Sequence, residues 1–138
     1  MPPATRYQWL PGPVGDMLRP AMATTATVPL SGYLIITTGH VGVDLKTGQL
    51  VTSSVEAEFN AVFDCLDAAL CNAGAPRGLQ DAHKLVAYYI RAEDEKTLVD
   101  IFKKRYPGHS PTWTSVVVKA LANEGVHVEV QAEAAIYT

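Results

Sequence analysis

The chain has 138 residues, of which 48% are hydrophobic and 18% charged, the balance of one globular domain with one core rather than of a disordered chain. A formal net charge of −3 gives no basic surface for nucleic acid, so no nucleic-acid partner is expected on charge alone. Its one basic run, Lys103-Lys104-Arg105, suits the C-terminal end of a helix, where cations meet the helix dipole.

No apolar run reaches the length of a membrane span. The first residues hold Pro2, Pro3, Pro11 and Pro13 and lack the apolar stretch of a secretory signal. Cys65 and Cys71 fall in one helical pattern about 120° apart, so they cannot pair with each other. A reduced, cytoplasmic setting is expected.

Residues 1–23 read as an irregular, Pro- and Gly-rich arm, and residues 24–138 as the folded domain. Residues 24–30 are Thr- and Val-rich and residues 33–38 form an apolar run. Ser31-Gly32 between them is a hairpin signal, and Pro29 marks the first strand as an edge. The segment Asp44-Leu45-Lys46-Thr47-Gly48 is a polar turn. A helix follows, with Ser53 and Glu56 as a capping box. Its stripe is Val55, Phe59, Val62, Phe63, Leu66, Leu70 and Ala73. Gly74 and Pro76 end it.

A strand lies within residues 81–90, and a second helix runs from about residue 94 to 106 with Leu98, Ile101, Phe102 and Tyr106 inward. Pro107, Gly108 and Pro111 then break the chain before a β-branched strand over 112–121. In that strand Trp113, Ser115 and Val117 share one side and Thr114, Val116 and Val118 the other. The last strand, 126–137, alternates: Val126, Val128, Val130, Ala132, Ala134 and Ile136 against His127, Glu129, Gln131 and Glu133. The order β-β-α-β-α-β-β predicts an α+β fold, with both helices on the Val/Ala face of one sheet.

Three stretches of the chain are similar to one family. They are residues 35–48 (Ile-Ile-Thr-Thr-Gly-His-Val-Gly-Val-Asp-Leu-Lys-Thr-Gly), the helix end Ala69-Leu70-Cys71-Asn72-Ala73-Gly74, and residues 111–118 together with 126–134. Over roughly three quarters of its length the chain resembles the RidA/YjgF family of imine/enamine deaminases, also described as translation inhibitors or endoribonucleases. The resemblance implies a chorismate-mutase-like fold, a homotrimer with a barrel-like centre, and small-molecule clefts between subunits.

It also implies roles for particular residues. Deaminating members carry an arginine that clamps the substrate carboxylate bidentately. Here Pro111-Thr112-Trp113-Thr114-Ser115 places Trp113 at that arginine and Ser115 at the family's cysteine. Ala21, after Arg19-Pro20, stands for the family's cleft tyrosine, and Asp100 for an asparagine on the second helix. The glutamate of the last strand is kept as Glu129, where it would position or activate water. Thr38, Gly39 and His40 follow the family's Ser-Gly-Gln loop.

Read from the residues alone, Trp113 either shapes a cleft or is a core aromatic. Glu129 is either the proton-transfer group or a solvated glutamate. His40 is either a proton shuttle or a loop histidine. Ser115 has no sequence-adjacent base for a triad, and His83 and His109 fall in loop contexts. No metal-ligand spacing, phosphate loop or dinucleotide fingerprint is present, so no metal and no cofactor are expected.

The expected activity is cofactor-free chemistry on a small, uncharged carbonyl, imine or enol metabolite. Glu129 and His40 would be catalytic, and Thr38, Gly39, Asp100, Thr112, Trp113 and Ser115 would line the site. The alternatives are a deaminase of the usual kind, with Arg19 or Arg105 as the clamp, and a non-catalytic trimeric binding or interaction module.

Overall fold

The computed structural model describes residues 3–137. Its strands are β1 (Arg6–Gln8), β2 (Thr25–Thr27), β3 (Tyr33–Ile36), β4 (Ala82–Tyr89), β5 (Thr112–Val117) and β6 (Val128–Ile136). Its helices are α1 (Pro13–Leu18), α2 (Val55–Asn72) and α3 (Asp94–Arg105), and a short 3₁₀ turn, Gly78–Asp81, precedes β4. The main sheet has strand order β3-β6-β4-β5. β6 runs antiparallel to both of its neighbours, and β5 runs parallel to β4. The parallel pair is the one joined through α3, as a parallel connection requires a crossover.

Both long helices cover one face of this sheet. Phe59, Val62, Phe63, Leu66 and Leu70 of α2 and Leu98, Ile101 and Phe102 of α3 form one buried cluster with Leu85, Ala87, Tyr89, Val128, Val130, Ala132 and Ala134. The Val/Ala side of β6 is therefore the core side, as its alternation predicts. Glu129, Gln131 and Glu133 sit half-buried on the opposite face. That face also shows Leu34, Ile36 and Val116 to solvent.

The cap of α2 is Ser54, whose Oγ accepts from the Ala57 N–H at 3.0 Å, one residue after the serine that the spacing suggested. At the other end Gly74 takes φ +113°, and the Ala75 N–H reaches the Leu70 carbonyl at 2.9 Å. Only glycine enters that region without strain.

The first residues depart from the sequence reading. Part of the arm expected to be irregular is β1 and α1, and β1 pairs with β2. The expected hairpin of residues 24–30 with 33–38 does not form: β2 pairs with β1, while β3 takes the edge of the main sheet beside β6. Ser31-Gly32 is a turn all the same, with Gly32 at φ +92°, but it redirects the chain from one sheet to the other. Trp9 fixes the arm by donating from Nε1 to the Met22 carbonyl at 2.8 Å.

Candidate functional site

Four of the residues singled out by sequence come together at the end of β3. Past Ile36 the chain keeps pairing with β6. The Thr37 N–H donates to the Ala132 carbonyl at 2.9 Å, and His40 and Val130 exchange backbone bonds at 2.8 and 3.0 Å. Thr38 and Gly39 therefore oppose the single residue Gln131, a local bulge of the kind that re-aims side chains beside functional sites. Thr37 anchors the bulge from the core side, its buried hydroxyl accepting from the Ala132 N–H at 2.9 Å.

Glu129 lies one residue before Val130 and projects away from the helices. Its carboxylate occupies the space that a side chain at residue 39 would fill: a Cβ on Gly39 would overlap Glu129 Oε2. The constraint on residue 39 is thus the space beside the Glu129 carboxylate and not its backbone angle. His40 is half-buried alongside. Burial lowers its imidazole below the usual histidine value, and the Glu129 carboxylate pulls it part of the way back. A carboxylate beside a neutral imidazole, on a partly open surface, can exchange protons with a bound water or substrate.

The remaining expected site residues lie elsewhere. Trp113 projects to the helix side of β5, where it is only 8% exposed. Its ring meets Phe102 edge-on with centroids 5.2 Å apart. Nε1 donates to Ser115 Oγ at 3.1 Å, and Ser115 in turn approaches the Tyr89 hydroxyl at 3.4 Å. Burial pushes the Tyr89 phenol up to about 12, so it stays protonated as a member of this polar chain. Of the two readings of Trp113, the geometry of the single chain matches the core aromatic.

Thr112 shares the open face with Glu129. Its hydroxyl, however, donates to the His83 carbonyl at 2.8 Å, at the opposite end of the strands. Asp100 lies exposed on α3, held by Lys96 at 2.7 Å, with the sheet between it and Glu129. The two candidate clamps are also engaged. Arg105 bonds Asp64 at 2.7 Å and Asp67 at 3.2 Å on α2, and the Arg19 guanidinium stacks 4.9 Å from the centre of the Trp9 ring.

Two polar pairs carry no signature that sequence reading could use. His127 donates its N–H to Glu58 Oε2 at 2.8 Å, and its Nδ1 lies 2.7 Å from Oε1. The Glu58 carboxylate thereby ties α2 to the start of β6 although it is only 4% exposed. His83, expected in a loop, belongs to β4 and is buried. The register of β4 against β6 shifts between Ala82 and Lys84, which turns the His83 ring towards Glu133, 3.4 Å away. His109, also expected in a loop, is buried, with Nε2 2.7 Å from the Ala82 carbonyl. Among the described residues no cluster of His, Cys, Asp and Glu has the geometry of a metal site, and no helix is long and apolar enough to cross a membrane.

The profile of the family described as Endoribonuclease L-PSP matches residues 19–136. The sequence matches none of the curated proteins. Among solved structures, the chain is similar to a Yersinia pestis protein of unknown function from the conserved Rid family, YyfB, at 19% identity over 96% of this chain and 98% of that one, with a TM-score of 0.80. It is also similar to RidA from the Antarctic bacterium Psychrobacter (25% identity, 84% and 91% covered, TM-score 0.69). The YjgF gene product of E. coli gives 26% identity, 78% and 84% covered and a TM-score of 0.64. With its α+β sheet, its two covering helices and a matched profile that spans the whole domain, the chain belongs to the Endoribonuclease L-PSP family, the family of the Rid and YjgF proteins.

Proposed function

We propose that the chain is a cofactor-free enzyme acting on a small, uncharged carbonyl, imine or enol metabolite, with Glu129 as the proton-transfer group. The observation that carries this reading is the seat of the Glu129 carboxylate against Gly39, with the imidazole of His40 beside it and Thr38 at the rim. In such an arrangement Glu129 takes a proton from water as the oxygen adds to a C=N or C=O carbon. With a C=N substrate it returns that proton to the nitrogen, which leaves as ammonia or an amine as the adduct collapses to a carbonyl; with a C=O substrate the proton goes to the former carbonyl oxygen and the product is the hydrate. His40, neutral near pH 7, would stand beside the same polar centre, ready to donate to or accept from a bound ligand.

The substrate class follows from what flanks the carboxylate. Tyr88 faces Glu129 across β4, and Thr38, His40 and Gln131 are its other neighbours on that side; none of them holds a fixed positive charge. A substrate carboxylate would find no bidentate partner there. The exposed Leu34, Ile36 and Val116 on the same face favour its being covered by further copies of the chain. The proposed working form is therefore a homotrimer with the clefts between copies. The acidic balance of the chain weighs against a nucleic-acid substrate.

The test is ammonia release from freshly generated 2-aminoacrylate and 2-iminobutyrate by the wild-type chain and by Glu129→Gln, beside a thermal-shift screen of uncharged carbonyl compounds. The expected result is little ammonia release, with stabilisation by an uncharged ligand that depends on Glu129. Rapid release that depends on Glu129 supports the usual deaminase instead. Ligand stabilisation unchanged by Glu129→Gln supports a non-catalytic binding module.

A further inference from the structure

We propose that His127 is a nucleophilic histidine that accepts a small acyl group at Nε2 from an activated, uncharged ester, with Glu58 as the residue that positions its ring. The inference does not rest on the proposed chemistry of Glu129. His127 stands two residues before Glu129 in the chain, but Glu58 belongs to α2, and its bonds draw the His127 ring towards the helix layer. The ring is thereby turned away from the face of Leu34, Ile36 and Val116, which further copies of the chain are proposed to cover.

The tautomer follows from the carboxylate. Glu58 is 4% exposed. Its Oε1 lies 2.7 Å from His127 Nδ1, and its Oε2 accepts the backbone N–H of the same residue at 2.8 Å. A carboxylate only accepts, so Nδ1 carries the proton and the lone pair of the neutral ring sits on Nε2. Nε2 itself is open. Among the described residues the buried polar side-chain atom that lacks a partner is His83 Nδ1 and not His127 Nε2, and the His127 side chain is 36% exposed, so Nε2 reaches solvent. A histidine that attacks an acyl carbon needs this arrangement: a buried carboxylate that fixes the tautomer and offsets the positive charge formed on the ring, and a free lone pair on the other nitrogen.

The substrate class follows from the surroundings of the ring. His127 borders an open cavity of about 400 Å³ with Ile90 and Leu121 as apolar neighbours and Lys119 and Glu124 as charges of opposite sign, a balance that selects neither an anionic nor a cationic acyl donor. Nε2 adds to the acyl carbon, the ester C–O bond breaks, and the oxygen leaves with the bonding pair. The ring is then an N-acylimidazolium whose Nδ1–H still faces Glu58. Water adds to the acyl carbon, the N–C bond breaks with its pair returning to Nε2, and the carboxylic acid and one proton are released. Imidazole leaves a tetrahedral adduct faster than an alkoxide does, so the first step goes forward with a good leaving group such as a phenolate.

The experiment measures p-nitrophenyl acetate hydrolysis by the full-length chain against an equal concentration of free 4-methylimidazole. A second arm treats the wild-type chain with diethyl pyrocarbonate, whose acyl product on histidine persists, and locates the label by mass spectrometry. The chain is expected to exceed the free imidazole at least about ten-fold, a modest return for a positioned group, and His127 should be labelled before His40, His83 and His109. His127→Asn keeps a donor at the place of Nδ1 and lacks Nε2, and it should remove the excess rate. Glu58→Gln keeps an acceptor oxygen and loses the charge, and it should lower both the rate and the labelling of His127 about ten-fold, the effect of one charge-assisted hydrogen bond. A wild-type rate no greater than that of free imidazole overturns the nucleophile. Label that falls first on another histidine or on a lysine overturns the site, and this arm needs no variant to fold. An excess rate that survives His127→Asn, or that Glu129→Gln removes, overturns it too. Full reactivity in Glu58→Gln overturns the positioning role of Glu58.

Discussion

Gly39→Ala separates the seat of Glu129 from the carboxylate itself. Gly39 is not among the glycines with positive φ, so its backbone admits alanine. The obstacle is space alone: the added Cβ would overlap Glu129 Oε2, and it would press on Cδ at 2.8 Å and Cγ at 3.0 Å. These atoms are the free end of a flexible side chain, which can rotate aside. Holding Glu129 away from its preferred rotamer costs about 0.5–1.5 kcal/mol. The loss of glycine's freedom in the unfolded chain returns about 0.4–1 kcal/mol. Stability should therefore change by less than about 1 kcal/mol in urea unfolding, while the carboxylate leaves its place. Any turnover that depends on Glu129 should fall about 100-fold or more, the contribution of a positioned acid or base. The His40 titration gives a readout that needs no substrate. Because the Glu129 carboxylate raises the His40 pKa against the effect of burial, Gly39→Ala and Glu129→Gln should each lower it further, and the double variant should go no lower than Glu129→Gln alone. An unchanged His40 titration in Glu129→Gln would falsify the pairing. A loss above about 3 kcal/mol in Gly39→Ala would mean that packing holds Glu129 rigidly.

Three further outcomes follow from the same structure. Trp113→Arg, which installs the family's clamp residue, should cost at least about 3–5 kcal/mol in urea unfolding, since it removes a buried ring from Phe102 and leaves a charge in its place; Trp113→Phe should cost less than half of that, and a tolerated arginine would show that residue 113 does not belong to the core. Glu58→Ala should cost about 2 kcal/mol by stranding the His127 N–H, while Glu58→Gln, which keeps an acceptor oxygen, should retain more of the stability in the same melts; equal losses would contradict the bonding described. Burial lowers the pKa of His40, His83 and His109, so below about pH 6.5 the unfolded chain binds protons that the folded chain refuses. Stability should be full above that pH and should decline as the pH falls through it towards the depressed folded values. A urea midpoint at pH 5 equal to or above that at pH 7.5 would contradict the sign.

Periodicity was the legible part of the sequence. The stripe of α2 and the alternation of β6 each assign a buried side by residue order alone, because one face of each must leave water. Strand partners were less legible. Ser31-Gly32 is a sound turn signal, yet which strand lies on the far side of a turn depends on where each edge finds hydrogen bonds, and β2 finds them on β1. His83 was illegible for a related reason. A shift of register at the start of β4 reverses the alternation there, and nothing in the spacing of Asp81, Ala82 and Lys84 announces it. The pair of Glu58 and His127 joins residues far apart in the chain, and a glutamate inside an apolar stripe reads from sequence as an exposed one.

The tryptophan at residue 113, where the family resemblance expects an arginine, bears on function less directly than that expectation implies. A side chain there points under α3, so the tryptophan is accounted for by its contact with Phe102 and its bond to Ser115, whether or not the chain binds any ligand. Glu129 has no such account. A carboxylate on a sheet face needs neither a glycine opposite it nor a two-residue bulge in the neighbouring strand. Gly39 leaves open the space that this carboxylate occupies, and the bulge at Thr38 and Gly39 brings His40 beside it. That open space beside a glutamate with a histidine neighbour is why the proposed function rests on Glu129 rather than on Trp113.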